Sequence, residues 1–371
     1  MLRLALVGGI YGKPPEYRQR CSITPETTLE AALRERDIDV QTFSHTEAMD
    51  VSRFDLVHVH HLGWGALSAA VAPCGPPLAF TVHAFVERDA AERGPRLPSK
   101  LSLAMRFVLA RVDALVSLTE REQRFMQSQF PTVGALCRTI PNGISPTIYP
   151  RARRPRRGVG EPWRLLYVGQ LIEGKRVDVL LEAVRRLDHP VRLRLVYQAG
   201  DREAELMRLA AHLGIRDRVE FIGSRTPAEL AQLLNDTDVF TFPSASEALP
   251  SVITEAMLCG TPILTTDVGG IPEQLGSFGC MVPPNSVEAF ASALNGILEQ
   301  YDPWIAQSEP MRAHAIEKYS VAAMVDAHLQ LYADVLAART CRRERVLALP
   351  ATVSVRGLVR LRAQRREPSN S

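Results

Sequence analysis

Two glutamates, Glu247 and Glu255, stand with seven residues between them in the stretch SASEALPSVITEAMLCGTP, Ser244 to Pro262. A continuous helix from Glu247 would put them roughly 80° apart in projection, at about 100° per residue. Pro250 argues against so early a start. Proline is favoured at a first helical position, where its missing N–H costs nothing, and Gly260 with Pro262 supplies the stop. The expected helix is therefore short, Pro250 to Cys259, with Glu247 on the loop at its mouth and Glu255 a turn inside. The free N–H groups at its start, Leu249 through Ser251 and Val252 to Ile253, carry about half a positive charge and suit a phosphate. Carboxylates accept hydrogen bonds from sugar hydroxyls. A phosphate flanked by hydroxyl-bearing rings, the shape of a nucleotide-sugar, fits this set; two solvated glutamates near a helix end is the plain alternative.

Elements that could position such a site follow from the apolar pattern. The chain opens on a short strand, Leu2 to Val7, followed by Gly8, Gly9 and Gly12. A glycine turn after a first strand lets backbone approach a phosphate, although the full G-x-G-x-x-G dinucleotide fingerprint is absent and Gly9 also reads as a tight turn only. Thr27 to Arg36 reads as a helix with Thr27 as its cap, and Val40 to Phe43 as the second strand. Between Asp55 and Glu87 lie 31 residues without Asp, Glu, Lys or Arg. Prolines 73, 76 and 77 interrupt them, so buried parallel strands around a short helix explain the segment better than a membrane span. It holds His58, His60, His61 and His83. A metal on His58 and His60 lacks further ligands. His83 ends the strand Leu78–Val82, and ligands gather at the carboxyl ends of parallel strands. Pro150 to Pro162 is proline- and arginine-rich and reads as a linker.

The run FTFPSASEALPSVITEAMLCGTPILTTDVGGIPE, Phe240 to Glu273, resembles the retaining, two-domain (GT-B) glycosyltransferases of family 4, whose signature is E-x7-E. Around it, YVGQLIEGKRVDVLLEA (167–183) is similar to the family's V-G-R-L…K-G-x-D-x-L-L-x-A, TVHAF (81–85) to T-V-H-D, IPNGI (140–144) to its domain-closing element, and GCMVPP (279–284) to its G-x-L-V-P-P strand. ARVDALVSLTE (110–120) is similar to its last first-domain strand, with Thr119 capping the helix that follows. The resemblance implies two doubly wound Rossmann-like α/β domains facing across a cleft. It implies a catalytic set of His83, Glu247 and Lys175, with Lys175 holding the donor diphosphate, Glu247 meeting the sugar and Glu255 the ribose. Leu249, Pro250, Ser251 and Val252 would lie at the phosphate, Gly9 beside the diphosphate, and Phe221 and Gly223 at the base. Gln170 stands at the family's arginine position, and Ala84 replaces an acidic residue. Glutamine donates neutral hydrogen bonds without charge or fork.

Length and composition agree with two globular domains: 371 residues, 46% hydrophobic and 23% charged. The division expected is 1–150, a linker at 151–162, 163–319, a helix at 320–338 returning to the first domain, and a tail at 339–371. That tail carries nine arginines against two glutamates, so the overall charge of +3 hides a negative body. A solvated tail and one drawn to an anionic leaflet are both consistent with this charge. Six cysteines without a C-x-x-C pair or a leader read as reduced and cytoplasmic. The reaction expected is transfer from a UDP- or GDP-linked sugar to an acceptor hydroxyl, in polysaccharide, glycolipid or cell-envelope glycan synthesis. No cofactor, no obligatory metal and no nucleic-acid partner is expected; the acceptor is a glycan or lipid-linked. Rival readings are a phosphorylase or epimerase on the same fold, or an inert partner subunit, which Gln170 and Ala84 would suit.

Overall fold

The structure is a computed structural model describing residues 1–20, 24–72, 75–83, 99–129, 136–152, 158 and 160–347. It contains two six-stranded parallel sheets. The first runs β2-β1-β3-β4-β5-β6, from β1 (Arg3–Gly8), β2 (Asp39–Ser44), β3 (Leu56–Val59), β4 (Leu78–Val82), β5 (Ala114–Ser117) and β6 (Cys137–Thr139). The second runs β12-β11-β10-β7-β8-β9, from β7 (Trp163–Val168), β8 (Val191–Val196), β9 (Val219–Ile222), β10 (Val239–Phe242), β11 (Ile263–Thr266) and β12 (Cys280–Val282). Helices cover both faces of each sheet, which is why the central strands are apolar without alternation: Leu4 to Val7 are all fully buried. The uncharged segment is β3, the helix Trp64–Val71 and β4, as its pattern predicts.

The structure corrects three local expectations in the first domain. The helix expected at Thr27 begins at Pro25 and ends at Arg34. Thr24 is its cap, accepting from the Thr27 N–H while the Thr27 hydroxyl accepts from the Thr24 N–H, a reciprocal box that a threonine rather than glutamate completes. The strand at Ala114 is not the last, because β6 pairs beside it. Gly143 follows Asn142, and an Asn-Gly pair favours a positive-φ turn, yet Gly143 does not adopt one. Glycine is needed there for close approach: a Cβ would come within 2.7 Å of the Val321 Cα.

At that contact the chain crosses between domains twice. Ile144 N–H donates to the Tyr319 carbonyl at 2.9 Å, and Val321 N–H to the Ile144 carbonyl at 3.3 Å. Ser320 caps the final helix through the Ala323 N–H, as expected. That helix, Val321–Leu347, then leaves the second domain and buries Met324, Val325, Leu331, Tyr332 and Val335 among Leu4, Leu6, Leu29 and Leu33 of the first. It continues nine residues past Ala338, where the sequence showed no clean periodicity. Of the basic tail, residues 348–371 lie outside the described part of the chain.

Candidate active site

In the second domain, the sequence-separated Lys175 and Glu247 form an ion pair through Nζ and Oε1. Lys175 closes a single 3-10 turn, Glu173–Lys175, just beyond β7; Glu247 sits on the loop after β10, the neighbouring strand. Ser244 holds the same carboxylate oxygen at 2.6 Å and also reaches the Gly174 carbonyl at 3.2 Å, while Ala245 N–H donates to Gly174 at 2.9 Å. The two loops are thus stitched backbone to backbone. From the other side, Gly269 at φ +58° lies so close that a Cβ would overlap the Glu247 carbonyl oxygen, and Gly270 N–H donates to Ala248 at 2.9 Å. The G-G of the G-G-x-P-E run exists for this approach.

The helix after the loop runs Ser251–Leu258, so the expected span is right to within a residue at each end. Pro250 is its cap rather than its first residue, and having no N–H it cannot donate to a phosphate. Ile253, expected to be free, donates to the Pro250 carbonyl at 3.1 Å. That carbonyl also accepts from Gln274 Nε2 at 3.1 Å, and the same nitrogen lies 2.7 Å from the Thr254 hydroxyl. No side chain caps the start and no acid lies in its first turn. Ser251 and Val252 are half-buried, while Leu249 packs on Leu118 and Tyr319. The stop is a Schellman motif: Gly260 at φ +66° donates to Met257, and Thr261 to Ala256.

Glu255 does not join the Lys175–Glu247 pair. Its carboxyl meets the Tyr149 hydroxyl from the crossover segment, and burial pushes it up to about 7, the tyrosine hydrogen bond being the smaller, opposing influence. It opens onto a cavity of about 570 Å³ between the helix Pro25–Arg34, residues 143–149 and the start of the C-terminal helix. Tyr149 is a site residue that sequence reading missed, 106 positions from its partner and carrying no local signal.

On the first domain, His83 lies just past β4 and is half-buried. Its Nε2 is 2.7 Å from Nδ1 of His60, and burial lowers it to about 4, the Glu26 carboxylate raising it less than burial lowers it. Gly9 has an ordinary helical φ of −68°, and its N–H is taken by His61 Nδ1 at 3.1 Å. His58 is fully buried between the Tyr332 hydroxyl (2.6 Å) and Thr81 (2.7 Å). Among the described residues no three His, Cys, Asp or Glu side chains are disposed to hold a metal. Ala84 lies outside the described residues.

Gln170 is exposed at the end of β7, its carbonyl accepting from the Tyr167 hydroxyl at 2.8 Å. Phe221 belongs to the edge strand β9, three places along the sheet from β10, and Gly223 follows its last residue. The Phe221 ring meets Tyr197 edge-on, centroids 6.5 Å apart, and Gly223 borders open space.

The two carboxyl edges face one another. Glu273, from the short helix Ile271–Leu275 after β11, accepts from the Glu120 N–H at 2.8 and 2.9 Å and from Arg121 N–H at 3.4 Å, capping the helix Glu120–Gln129 that follows β5. Thr119 also caps it locally, accepting from Glu122 N–H at 3.1 Å, as expected.

The family profile Glycosyltransferase Family 4 matches residues 11–148, and Glycosyl transferases group 1 matches 150–318. The chain belongs to glycosyltransferase family 4. Among relatives of this family 4 chain, a D-inositol 3-phosphate glycosyltransferase of Gordonia bronchialis is 28% identical over 358 residues, covering 88% of this chain and 77% of that one. One of the same description from Corynebacterium jeikeium is 29% identical over 305 residues, 76% and 72%. Solved structures share the fold: a sucrose-phosphate synthase of Thermosynechococcus elongatus (TM-score 0.73, 19% identity, 91% of this chain, 100% of that one) and Anabaena HepE with UDP and glucose (0.68, 20%, 90% and 100%). The GT-B architecture of this family 4 enzyme is therefore two Rossmann-like domains.

Proposed function

We propose that this family 4 glycosyltransferase moves a sugar from a nucleotide diphosphate donor to an acceptor hydroxyl with retention at the anomeric carbon. The observation that carries the reading is the Lys175–Glu247–Ser244 cluster beside an uncapped helix start at a carboxyl sheet edge. Lys175 and the helix start meet the diphosphate, whose negative charge grows as the C1–O bond breaks. Glu247 accepts from donor sugar hydroxyls, and Glu255 from the ribose. A front-face course fits the residues: the acceptor oxygen bonds to C1 on the side the diphosphate leaves, and its proton passes to the departing phosphate oxygen. Glu247 then positions and does not attack. Lys175 and the helix start supply the positive charge a divalent ion supplies elsewhere, so turnover is expected in the presence of a chelator. HepE, solved with UDP and glucose, supports a uridine donor as the first to try. We further infer a place on the cytoplasmic face, the arginine-rich end meeting anionic lipid; failure of the full chain to co-sediment with anionic vesicles would refute it.

The test is calorimetry with UDP, GDP and their sugar conjugates, with the anomeric product read by NMR. Lys175→Ala is expected to lower kcat by roughly 10²- to 10³-fold. An inverted product would end the retaining reading. Gln170, exposed and uncharged, favours a second reading, an inert partner subunit. Nucleotide binding without turnover on any acceptor would favour it.

A further inference from the structure

We propose that His60 is a positioning residue that fixes the proton of His83 on Nδ1, making His83 a hydrogen-bond donor to the reacting groups rather than a base. The proposal rests on the reading that His83 serves the transfer site, and its first measurement is independent of that reading.

Nδ1 of His60 and Nε2 of His83 are 2.7 Å apart, so one of the two nitrogens carries a hydrogen and the other receives it. The rings lie within 20° of parallel, centroids 5.0 Å apart, which holds the pair in register. His60 is almost wholly buried, and its second nitrogen, Nε2, has no hydrogen-bond partner among the described residues. If His83 were the donor, a neutral His60 would carry its proton on Nε2 and bury an N–H without an acceptor. If His60 is the donor, Nε2 keeps only a lone pair. Orphaned buried N–H groups are rarer than under-satisfied acceptors, and burying an unmet donor costs about 1 to 3 kcal/mol. The second arrangement therefore holds: His60 Nδ1–H donates, His83 Nε2 accepts, and neutral His83 carries its hydrogen on Nδ1.

The neighbours leave His60 no other choice. His58, whose ring centroid is 4.5 Å away, has both nitrogens engaged by Tyr332 and Thr81. His61, 5.9 Å from His83, receives the Gly9 N–H. His328 packs on His58 at 5.4 Å and bonds the Met324 carbonyl. Among the described residues His60 is thus hydrogen-bonded through its ring to His83 alone, and burial keeps both rings neutral. A neutral N–H donor at the end of β4 suits hydroxyl or phosphate oxygen and leaves no free lone pair on His83 to take the acceptor's proton. That is consistent with the donor phosphate, and not a histidine, receiving it.

The experiment is long-range nitrogen–proton correlation NMR on the full chain labelled with [15N]histidine, His83 being assigned by its loss in His83→Gln. The expected result is an Nδ1–H tautomer in the wild type. It should persist in His60→Asn, whose amide N–H stands where Nδ1–H stood, and shift toward Nε2–H in His60→Leu. A wild-type His83 protonated on Nε2 would overturn the proposal without any donor being present. In turnover, His60→Leu is expected to lower kcat by roughly five- to tenfold with donor KM little changed, and His60→Asn to restore it. Equal losses in both variants, with an unaltered His83 tautomer, would reduce His60 to a packing role. Absence of transfer by the wild type, with the Nδ1–H tautomer present, would count against the functional reading and not against the pairing.

Discussion

Gln170 stands where the resemblance to family 4 expects an arginine. It stands exposed beside the loop that carries Lys175, so nothing obstructs a longer cation there. Charge-assisted hydrogen bonds are about twice as strong as neutral ones. Gln170→Arg is therefore expected to tighten nucleoside diphosphate binding about tenfold, or about 1.4 kcal/mol, by calorimetry. Unchanged affinity would mean that this position does not face the phosphate. Glu255 makes a different prediction, from its titration. Its folded carboxyl sits at about 7, above an ordinary glutamate, so the native chain holds a proton that the unfolded chain releases over that interval. Stability from this group falls as pH rises from about 4.3 to 7 and is level above. His83 and His328, lowered to about 4, act in the opposite sense between there and their ordinary value. The readout is thus the difference between wild type and Glu255→Gln. The variant's melting temperature should gain on the wild type through that window and stay ahead at pH 8; a difference independent of pH would show that Glu255 does not carry the proton.

Loops, more than helices, hold the candidate site together, and here local pattern told less. The strand ends and the helix Ser251–Leu258 were readable because Pro250, Gly260 and the apolar runs act through their own neighbours. Which loops touch was not. Gly269 carries that information: at φ +58° and against the Glu247 carbonyl, it admits no side chain. Gly269→Ala should cost about 2 kcal/mol or more of stability by thermal melting. It should also lower turnover in the surviving folded fraction, since Glu247 must move; full activity in a stable variant would contradict the tight approach. The Thr24–Thr27 box shows the limit of motif reading from the other side. The expected glutamate partner is missing, so the start two residues earlier passed unseen.

For the whole molecule, the C-terminal helix is the element on which domain integrity turns. By length and composition Val321–Ala338 would pass for a membrane span, yet it completes the core of a domain that began at residue 1. Truncation after Tyr319 should expose Leu4, Leu29 and Leu33 and yield an aggregating or unfolded first domain by circular dichroism and light scattering. Truncation after Leu347 should leave the melting temperature within about 2 °C of the full chain. A folded, monomeric product of the shorter truncation would refute the helix's role. By itself, the sequence determined most of the strand and helix order, though not β6, and pointed to two parallel-sheet domains, the family, and the candidates Lys175, Glu247, Glu255 and His83. The strands and helices rest on periods and turn residues that act over a few positions, whereas the family and the candidates' roles rest on the resemblance of contiguous motifs such as Phe240 to Glu273. Only the tertiary structure decided that Lys175 pairs with Glu247 while Glu255 turns to Tyr149, that His60 stands against His83, and that Glu273 caps a helix whose first residue is 153 positions away. Those contacts come from sheet order and from two chain crossings at Ile144 and Val321, and long-range pairing of this kind leaves no periodic trace in either partner's neighbourhood.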